Sequence, residues 1–531
     1  MMNLSFFSCI VRCTFPDSWN EVNMYSTVMT SMLCGIHAIP IQVEVDISTG
    51  LPAFEMVGYL ASEVREAKER VRTALHNCGV SLPAKRITIN LSPGNIRKTG
   101  TGFDLPIAEA LLCAIGVLGE ECCRDKVFVG ELSLNGQILP VNGILPVVSD
   151  GYEENPAAEF IVPMDNLTEG QLVKRAKVCG VSSVAAVIRY LTDGVKEPVS
   201  DVRILPEKPI PVDFSEVNGQ SFLRRAAEVA ASGMHNLLMV GPPGAGKTMI
   251  SERLASILPP LTEKEKLELS KIYSVCGMLN NRNALLQQRP FRSPHHTVTR
   301  AGMTGGGTVP RPGEISLAHH GVLFLDELTE FDKATLEILR QPLEERQIHL
   351  TRALTSVCYP ADFLLLASMN PCNCGYYPDM QKCHCTPRTL QRYAQKVSQP
   401  LIDRIDICVE APMVTYTELI QKGNNESSAS IQKRVAACHQ IQRERYQNES
   451  FDYNSRIPAA RMEEFCPLGS KEQNYMESMY KKMALTARTY HKILRVARTI
   501  ADCEESKEIR VGHLSEAVCY RSMNERFWGG V

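Results

Sequence analysis

The stretch of sequence that decides the fold is Gly241-Pro242-Pro243-Gly244-Ala245-Gly246-Lys247-Thr248. It fits the pattern G-x-x-x-x-G-K-[ST], whose glycines let the backbone curl until its N–H groups point at phosphate oxygens. The preceding run, Asn236–Val240, has the pattern of a buried strand, and the following run, Met249–Leu258, has that of a helix. Strand, loop and helix in this order predict a P-loop. Lys247 would reach the β- and γ-phosphates of a nucleotide such as ATP, and the Thr248 hydroxyl would bind Mg²⁺.

A second motif, Gly321-Val322-Leu323-Phe324-Leu325-Asp326-Glu327, places two carboxylates at the end of an apolar run. Asp326 would complete the Mg²⁺ shell, and Glu327 would activate the attacking water as a general base. The alternative for such a pair is a solvated turn. Because the motif follows a P-loop, we favour the catalytic interpretation and predict ATP hydrolysis.

Three further polar residues are candidates for the same site. Asn370 follows the apolar run Phe363–Ala367 and would lie beside the γ-phosphate, although it could equally be an ordinary turn residue. Arg404, in Leu401-Ile402-Asp403-Arg404-Ile405-Asp406, is a candidate arginine finger for a neighbouring subunit's ATP; the alternative is a surface ion pair with Asp403 or Asp406. Arg488 is a candidate second sensor, with Arg495 and Arg498 as competitors in the same helical run.

The amino-acid composition is that of an ordinary globular protein. The 531 residues are 44% hydrophobic and 22% charged, with a net charge of −2, so any contact with DNA must come from a local basic patch. Nineteen cysteines are scattered through a chain too long for a disulfide-stapled scaffold, which favours reduced thiols in the cytoplasm. Apolar runs stay below the roughly 18 residues that a membrane-spanning helix requires.

The pattern of elements predicts a multidomain α/β protein with three structural domains. Residues 1–23 read as a non-structural extension, with Met24 the more natural start. Residues 24–205 alternate strand-like and helix-like runs, 206–412 form the P-loop core after a proline-bearing linker, and 413–531 form a helical lid.

Four cysteines cluster directly after the Asn370 run, as Cys372, Cys374, Cys383 and Cys385. Four thiolates suit tetrahedral Zn²⁺, and a knuckle here would brace a loop near the nucleotide. The C-x-C spacing is tighter than the usual two-residue gap, so a metal-free loop of reduced thiols stays open as the alternative.

The motifs together resemble the ComM-like (YifB) branch of the magnesium-chelatase-related AAA+ ATPases, and the resemblance covers essentially all of 24–525. Besides the P-loop, it is carried by five segments: Gly102–Ala108, Val129–Gly136, Arg289–Thr297, Pro312–His319 and Leu339–Glu344. It implies a Lon-protease-like first domain of the ribosomal S5 domain 2 type, then an AAA+ module and a helical lid. It also implies a ring, expected to be a hexamer, that moves on DNA and serves natural transformation and branch migration. By this resemblance Asn370, Arg404 and Arg488 occupy the sensor, finger and second-sensor positions.

Two other functions compete with a DNA motor. A Lon-like protease needs a serine activated by a lysine; the stretch Lys98–Asp104 lacks the serine, and Pro140–Pro146 lacks the paired lysine. A chelatase-type motor subunit that drives metal insertion with a partner is weakened by the Lon-like domain fused ahead of the ATPase. DNA itself rests on the family analogy.

One helix of the first domain has a basic face. Arg65, Lys68 and Arg72 recur at helical spacing, and phosphate neutralisation by such a face could hold DNA. The alternative is a solvated face, because Glu66 and Glu69 are interleaved with these cations.

Overall fold

The computed structural model describes residues 24–198, 212–279, 285–307, 310–351, 356–416, 418 and 425–521. The predicted extension 1–23 lies outside the described residues, as do residues 206–211 of the proline-bearing linker. The chain divides into two compact units: 1–206 with 270–286 and 351–357, and the remainder. Among the described helices, none combines the length and apolarity that crossing a membrane requires.

The first unit is built on a seven-stranded mixed sheet of order β3-β4-β2-β1-β5-β8-β9. Alternation of buried and exposed residues along β1 and β2 lets one sheet face pack on helices. A two-stranded ladder, β6-β7, lies outside this sheet. The strands are β1 Tyr25–Cys34, β2 His37–Ser48, β3 Ala53–Val57, β4 Arg86–Ser92, β5 Lys126–Phe128, β6 Glu131–Leu132, β7 Ile138–Leu139, β8 Glu159–Pro163 and β9 Lys177–Val181.

Six α-helices lie wholly within the described residues of this unit: α1 Ser62–Asn77, α2 Asp104–Ala114, α3 Glu120–Cys123, α4 Ile144–Glu154, α5 Leu167–Gly170 and α6 Val184–Asp193. Every residue of α2 is buried, including Asp104. Arg70 of α1 donates to both Asp104 oxygens, at 2.7 and 2.9 Å, and the backbone N–H of Leu132 donates to one of them at 3.1 Å. The aspartate of the Gly102–Ala108 motif therefore ties α1, α2 and β6 together.

The second unit contains a five-stranded sheet of order β11-β14-β17-β10-β18, in which neighbouring strands are parallel. Its inner strands are buried on both faces, which explains their continuous apolar runs. The strands are β10 Leu237–Val240, β11 Phe291–Arg292, β14 Val322–Leu325, β17 Leu364–Met369 and β18 Ile407–Glu410; two hairpins pair β12 Gly305–Gly306 with β13 Arg311–Pro312 and β15 Gln347–Thr351 with β16 Ser356–Pro360.

Helices α7–α15 connect these strands: α7 Ser221–Gly233, α8 Lys247–Ile257, α9 Glu263–Val275, α10 Arg300–Thr304, α11 Glu314–Leu317, α12 Lys333–Glu337, α13 Arg340–Glu345, α14 Pro387–Ala394 and α15 Gln399–Ile402. The C-terminal part is helical: α16 Ser428–Arg445, α17 Met462–Phe465, α18 Ser470–Lys482, α19 Ala487–Cys503 and α20 Val511–Cys519. Residues of α7, β10 and α19 share one hydrophobic core, so the predicted lid packs within the same unit as the P-loop strand.

The mixed α/β class predicted from sequence is confirmed, and the strand bearing the P-loop, β10, is an inner strand between β17 and β18. The candidate site residues follow β10, β14 and β17, which are adjacent and parallel. Their carboxyl ends meet at one edge, the position where open α/β sheets bind ligands.

Candidate nucleotide site

The P-loop connects the end of β10 to the first residue of α8. Gly244 and Gly246 have φ angles of 78° and 79°, a left-handed conformation that glycine adopts without strain. A Cβ atom at Gly241 would lie 2.3 Å from the Ala411 carbonyl oxygen, so this position also needs glycine. The loop thus leads directly into the N-terminus of α8, where the first N–H groups of a helix have no intrahelical partner and favour an anion.

Lys247 is buried and points back across the loop. Its ammonium donates to the carbonyls of Gly241 (2.7 Å) and Pro242 (2.9 Å), and to Asn370 Oδ1 at 3.3 Å. Burial lowers the pKa of Lys247, whereas the charges of Asp326 and Glu327 act in the opposite direction. The lysine therefore lies where a polyphosphate could replace backbone carbonyls as its partner.

Asp326 and Thr248 meet at the end of β14. The Thr248 hydroxyl donates to Asp326 Oδ2 at 3.1 Å, and the Ser368 hydroxyl donates to Asp326 Oδ1. A hydroxyl and a carboxylate at this separation are oxygen ligands of the type that Mg²⁺ prefers. The donor set therefore fits magnesium. Ser368 was not predicted; it belongs to the same strand end as Asn370.

Glu327 is exposed and has a φ of 52°, a left-handed conformation that is uncommon for a residue with a side chain. Its backbone N–H donates to Asp326 Oδ1 at 3.0 Å. Such backbone strain, which costs about 1–3 kcal/mol, persists where the surrounding structure imposes it and is concentrated at functional sites.

The four predicted cysteines converge in space. Their Sγ atoms all lie within 4.8 Å of one another, and four of the separations are 3.2, 3.5, 3.5 and 3.8 Å. Tetrahedral zinc with bonds of about 2.3 Å requires sulfur separations of about 3.8 Å, so the set fits zinc closely. The loop also contacts the P-loop: a Cβ atom at Gly375 would lie 2.7 Å from Pro243 Cδ.

A second cluster of metal-ligand types, Glu268 with His319 and His320, has a different explanation. The backbone N–H of Asp362 donates to His319 Nδ1 at 3.0 Å, so the proton of neutral His319 resides on Nε2. That nitrogen faces Glu268 at 3.8 Å, and His320 Nε2 lies 3.1 Å from the same carboxylate. A protonated nitrogen cannot bind a metal, so we interpret this cluster as a carboxylate that is hydrogen-bonded to His320 and lies beside His319.

The structure does not bring Arg404 to this site. Its guanidinium donates to the backbone carbonyls of Arg340 (3.1 Å) and Pro400 (2.6 Å), and pairs with Glu344 at 2.7 Å. Arg404 is 12% exposed, whereas Glu344 is 57% exposed. The ion pair considered from sequence exists, but its acid is Glu344, not Asp403 or Asp406.

Arg488 is exposed in the first turn of α19. Its two competitors have structural partners instead. Arg498 is buried and donates to Asp502 (3.1 Å) and the Lys507 carbonyl (2.8 Å), and Arg495 donates to the Ile457 carbonyl at 2.5 Å. Of the three arginines, Arg488 is thus the one whose side chain faces solvent.

Comparison with known proteins agrees with this architecture. The family described as "Magnesium chelatase, subunit ChlI" matches residues 213–419, "Subunit ChlI of Mg-chelatase" matches 43–166, and "Magnesium chelatase, subunit ChlI C-terminal" matches 425–521. The YifB protein of Salmonella typhimurium is 40% identical over 500 residues, covering 94% of this chain and 97% of the relative. The competence protein ComM of Haemophilus influenzae is 38% identical over 497 residues, covering 92% and 96%.

The chain belongs to the YifB and ComM family. The resemblance noted from the sequence motifs is therefore confirmed, and the family places this protein among the magnesium-chelatase-related AAA+ proteins. Lon protease 2 of Bacillus subtilis is 30% identical over 162 residues, 29% of each chain, which agrees with a Lon-like element. This AAA+ family suggests ATPase activity with Mg²⁺, and assembly into oligomers.

Proposed function

We propose that this protein is an ATP-hydrolysing AAA+ ring motor that binds DNA and remodels or translocates it. The ATPase part of the proposal rests on two neighbouring contacts. The Thr248 hydroxyl lies 3.1 Å from Asp326 Oδ2, and the Lys247 ammonium lies 3.3 Å from Asn370 Oδ1. A phosphate-binding cation, two magnesium ligands and a polar sensor thus converge from three neighbouring strand ends.

Each residue then has a distinct part. Lys247 and the backbone of Gly241–Thr248 bind the phosphates, and Thr248 and Asp326 hold Mg²⁺, which would neutralise charge between the β- and γ-phosphates. Glu327 takes a proton from the attacking water, and Asn370 orients the γ-phosphate. Arg404 completes the site of the next subunit, and Arg488 contacts the nucleotide of its own chain from the lid.

These roles require a ring, for which we propose a hexamer. Under this proposal the chain consists of a Lon-like, non-proteolytic domain of the S5 domain 2 type (24–205), an AAA+ core (206–412) and a helical lid (413–531). The missing serine in Lys98–Asp104 and the missing lysine in Pro140–Pro146 support the non-proteolytic assignment.

DNA is proposed as the substrate because one relative is a competence protein and because α1 presents cations to solvent. Arg65 and Arg72 are exposed, and Lys68 lies over the Phe54 ring at 5.8 Å. Glu66 and Glu69 are exposed on the same helix, so the patch is mixed, as considered from the sequence. Branch migration during recombination or natural transformation is the activity that this proposal implies.

The test is the ATPase rate with and without single-stranded, duplex and branched DNA at low salt. We expect severalfold stimulation, and we expect Arg65→Ala/Arg72→Ala to lower the salt slope of DNA binding by about 2, because two phosphate contacts are lost. Lys481→Ala, an exposed lysine of the lid, serves as the control and should leave the slope unchanged.

If DNA neither binds nor stimulates ATP hydrolysis at low salt, the DNA part of the proposal is wrong. The second candidate function, a chelatase-type motor subunit that drives metal insertion with a partner, would then be favoured. The observation behind it is that the three matching families all carry the name of the chelatase subunit ChlI.

We also propose that Cys372, Cys374, Cys383 and Cys385 hold a structural zinc ion that braces the loop against Pro243. Four reduced thiols as ligands fit the reducing cytoplasm predicted from the cysteine usage. Purified protein should contain about one zinc per chain, and Cys372→Ser should lose it and lower the Tm by several degrees, because structural zinc contributes directly to folding free energy.

The matched control for this experiment is Cys358→Ser, which changes an exposed cysteine outside the cluster and should retain the metal. Elemental analysis and thermal melting provide the two readouts. A zinc-free preparation, together with an unchanged Tm for Cys372→Ser, would leave the cluster as a metal-free loop.

A further inference from the structure

The backbone that carries Arg404 is held by a buried polar cluster on its C-terminal side. Asp406, two residues after Arg404, is buried. Its carboxylate accepts from the backbone N–H of Asn236 at 3.2 Å and lies 3.3 Å from the Lys492 ammonium and 3.6 Å from His235 Nδ1. We call these four residues, His235, Asn236, Asp406 and Lys492, the finger-base cluster.

The finger-base cluster also hydrogen-bonds to the main chain at and next to Arg404. Asn236 Nδ2 donates to the Arg404 carbonyl, and Lys492 Nζ donates to the Ile405 carbonyl, both at 2.9 Å. Arg521 donates to the Ile405 carbonyl as well, at 2.5 Å. Since a buried carbonyl left without a partner is costly, these contacts fix the position of Arg404 relative to α19 and to the start of β10.

The charges within the cluster depend on one another. Burial would raise the pKa of Asp406, but Lys492 and then His235 hold it well below its ordinary value. Burial lowers the pKa of Lys492 to about 8, although Asp406 opposes that change. The pair is therefore held together by mutual charge compensation in a buried place, where separating the two would be expensive.

Lys492 also lies one helical turn after Arg488 on α19, and residues four apart share one face of a helix. Helix α19 therefore carries both Arg488, the candidate contact to the chain's own nucleotide, and Lys492, which binds the backbone next to Arg404. A rotation of α19 when Arg488 engages a γ-phosphate would displace Ile405 and Asp406, and Arg404 with them.

We propose that Lys492 is a positioning residue that couples the nucleotide state of a chain's own site to the placement of Arg404 in the next subunit's site. The inference rests on the proposed ring ATPase and adds its regulation: hydrolysis at successive sites is linked through the pair of Lys492 and Asp406. Such coupling needs a structural element with two arrangements, whose equilibrium is shifted by both nucleotide sites. We propose that this element is α19.

The test compares full-length wild type with Lys492→Met/Asp406→Asn, which removes both charges of the pair together. The single variant Lys492→Arg keeps the positive charge opposite Asp406 and should retain the coupling. Arg445→Met/Asp502→Asn is the control: it removes another charge pair of the lid, held at 2.6 Å, and also takes the carboxylate partner from buried Arg498, so it disturbs the lid at least as strongly at a place that does not contact the backbone at Arg404. We expect the Kd for ATP and the oligomeric state to stay unchanged in all of these variants.

Two readouts separate coupling from a merely structural role. In Lys492→Met/Asp406→Asn we expect kcat to fall about 2- to 30-fold at unchanged KM, and the Hill coefficient for ATP to fall to 1. The second readout is the ATPase rate of mixtures with inactive Lys247→Ala chains. The rate of wild-type mixtures should fall more steeply than the fraction of active chains, whereas the rate of mixtures with Lys492→Met/Asp406→Asn should fall in proportion to that fraction.

Wild-type cooperativity and a wild-type mixing curve in Lys492→Met/Asp406→Asn would overturn the coupling. So would a wild-type enzyme that is itself non-cooperative, or an Arg445→Met/Asp502→Asn control that loses cooperativity equally. Failure of the proposed function gives a different result: wild-type protein would then not hydrolyse ATP, or Arg404→Ala would hydrolyse it at the wild-type rate.

Discussion

Glu327→Gln should slow ATP hydrolysis by about 10²–10⁴-fold while leaving ATP binding intact, because a positioned general base contributes about that factor. Glutamine keeps the shape and the left-handed backbone of the position but cannot accept a proton. Lys247, Thr248 and Asp326, which bind the phosphates and magnesium, are untouched. The measurements are phosphate release under saturating ATP and the Kd of a fluorescent ATP analogue.

The control is Glu330→Gln, which neutralises a nearby exposed acid paired with Lys396 at 3.2 Å and should retain the wild-type rate. Lys247→Ala provides the opposite pattern, because it should abolish binding itself. If Glu327→Gln hydrolyses ATP as fast as wild type, the assignment of the general base is wrong, whatever the geometry of the phosphate loop.

The central part of the site was predictable because its signals are local. The order of strand, glycine loop and helix around Lys247 is written within a few residues, and the structure has β10 and α8 at those positions. Asp326 and Asn370 follow apolar runs of the same kind, and the parallel order of β10, β14 and β17 brings them together. Arg65, Lys68 and Arg72, which recur at helical spacing in the sequence, all lie in helix α1.

What escaped prediction depends on contacts between distant segments. Ser368 reaches Asp326 across two neighbouring strands, and the Gly375 backbone lies against Pro243 across more than a hundred residues of chain. The partner of Arg404 was expected among the flanking aspartates, yet it is Glu344 at the end of α13, a residue that no local pattern connects to Arg404. Spacing along a sequence reports on helix faces and strand ends, but not on which ends meet.

Arg404→Ala should lower kcat by about 10³–10⁵-fold with little change in ATP binding, the range expected for an arginine finger. The finger must leave the partners that it has within its own chain, namely Glu344 and the carbonyls of Arg340 and Pro400. The γ-phosphate of an ATP bound to the adjacent subunit carries more negative charge than the exposed Glu344 carboxylate, so it can replace Glu344 as the partner of Arg404. Glu344→Gln should change the rate less than about fivefold, since a partly exposed ion pair contributes little.

Mixing two inactive proteins decides whether Arg404 acts on its own nucleotide or on that of a neighbour. Chains with Arg404→Ala retain a complete phosphate loop, and chains with Lys247→Ala retain the arginine. If the finger acts across the subunit interface, the mixture should recover part of the wild-type rate, because a site of the first kind can border an Arg404 of the second. If Arg404 served only its own chain, every site in the mixture would lack one essential group and the rate would stay at the level of the separate variants.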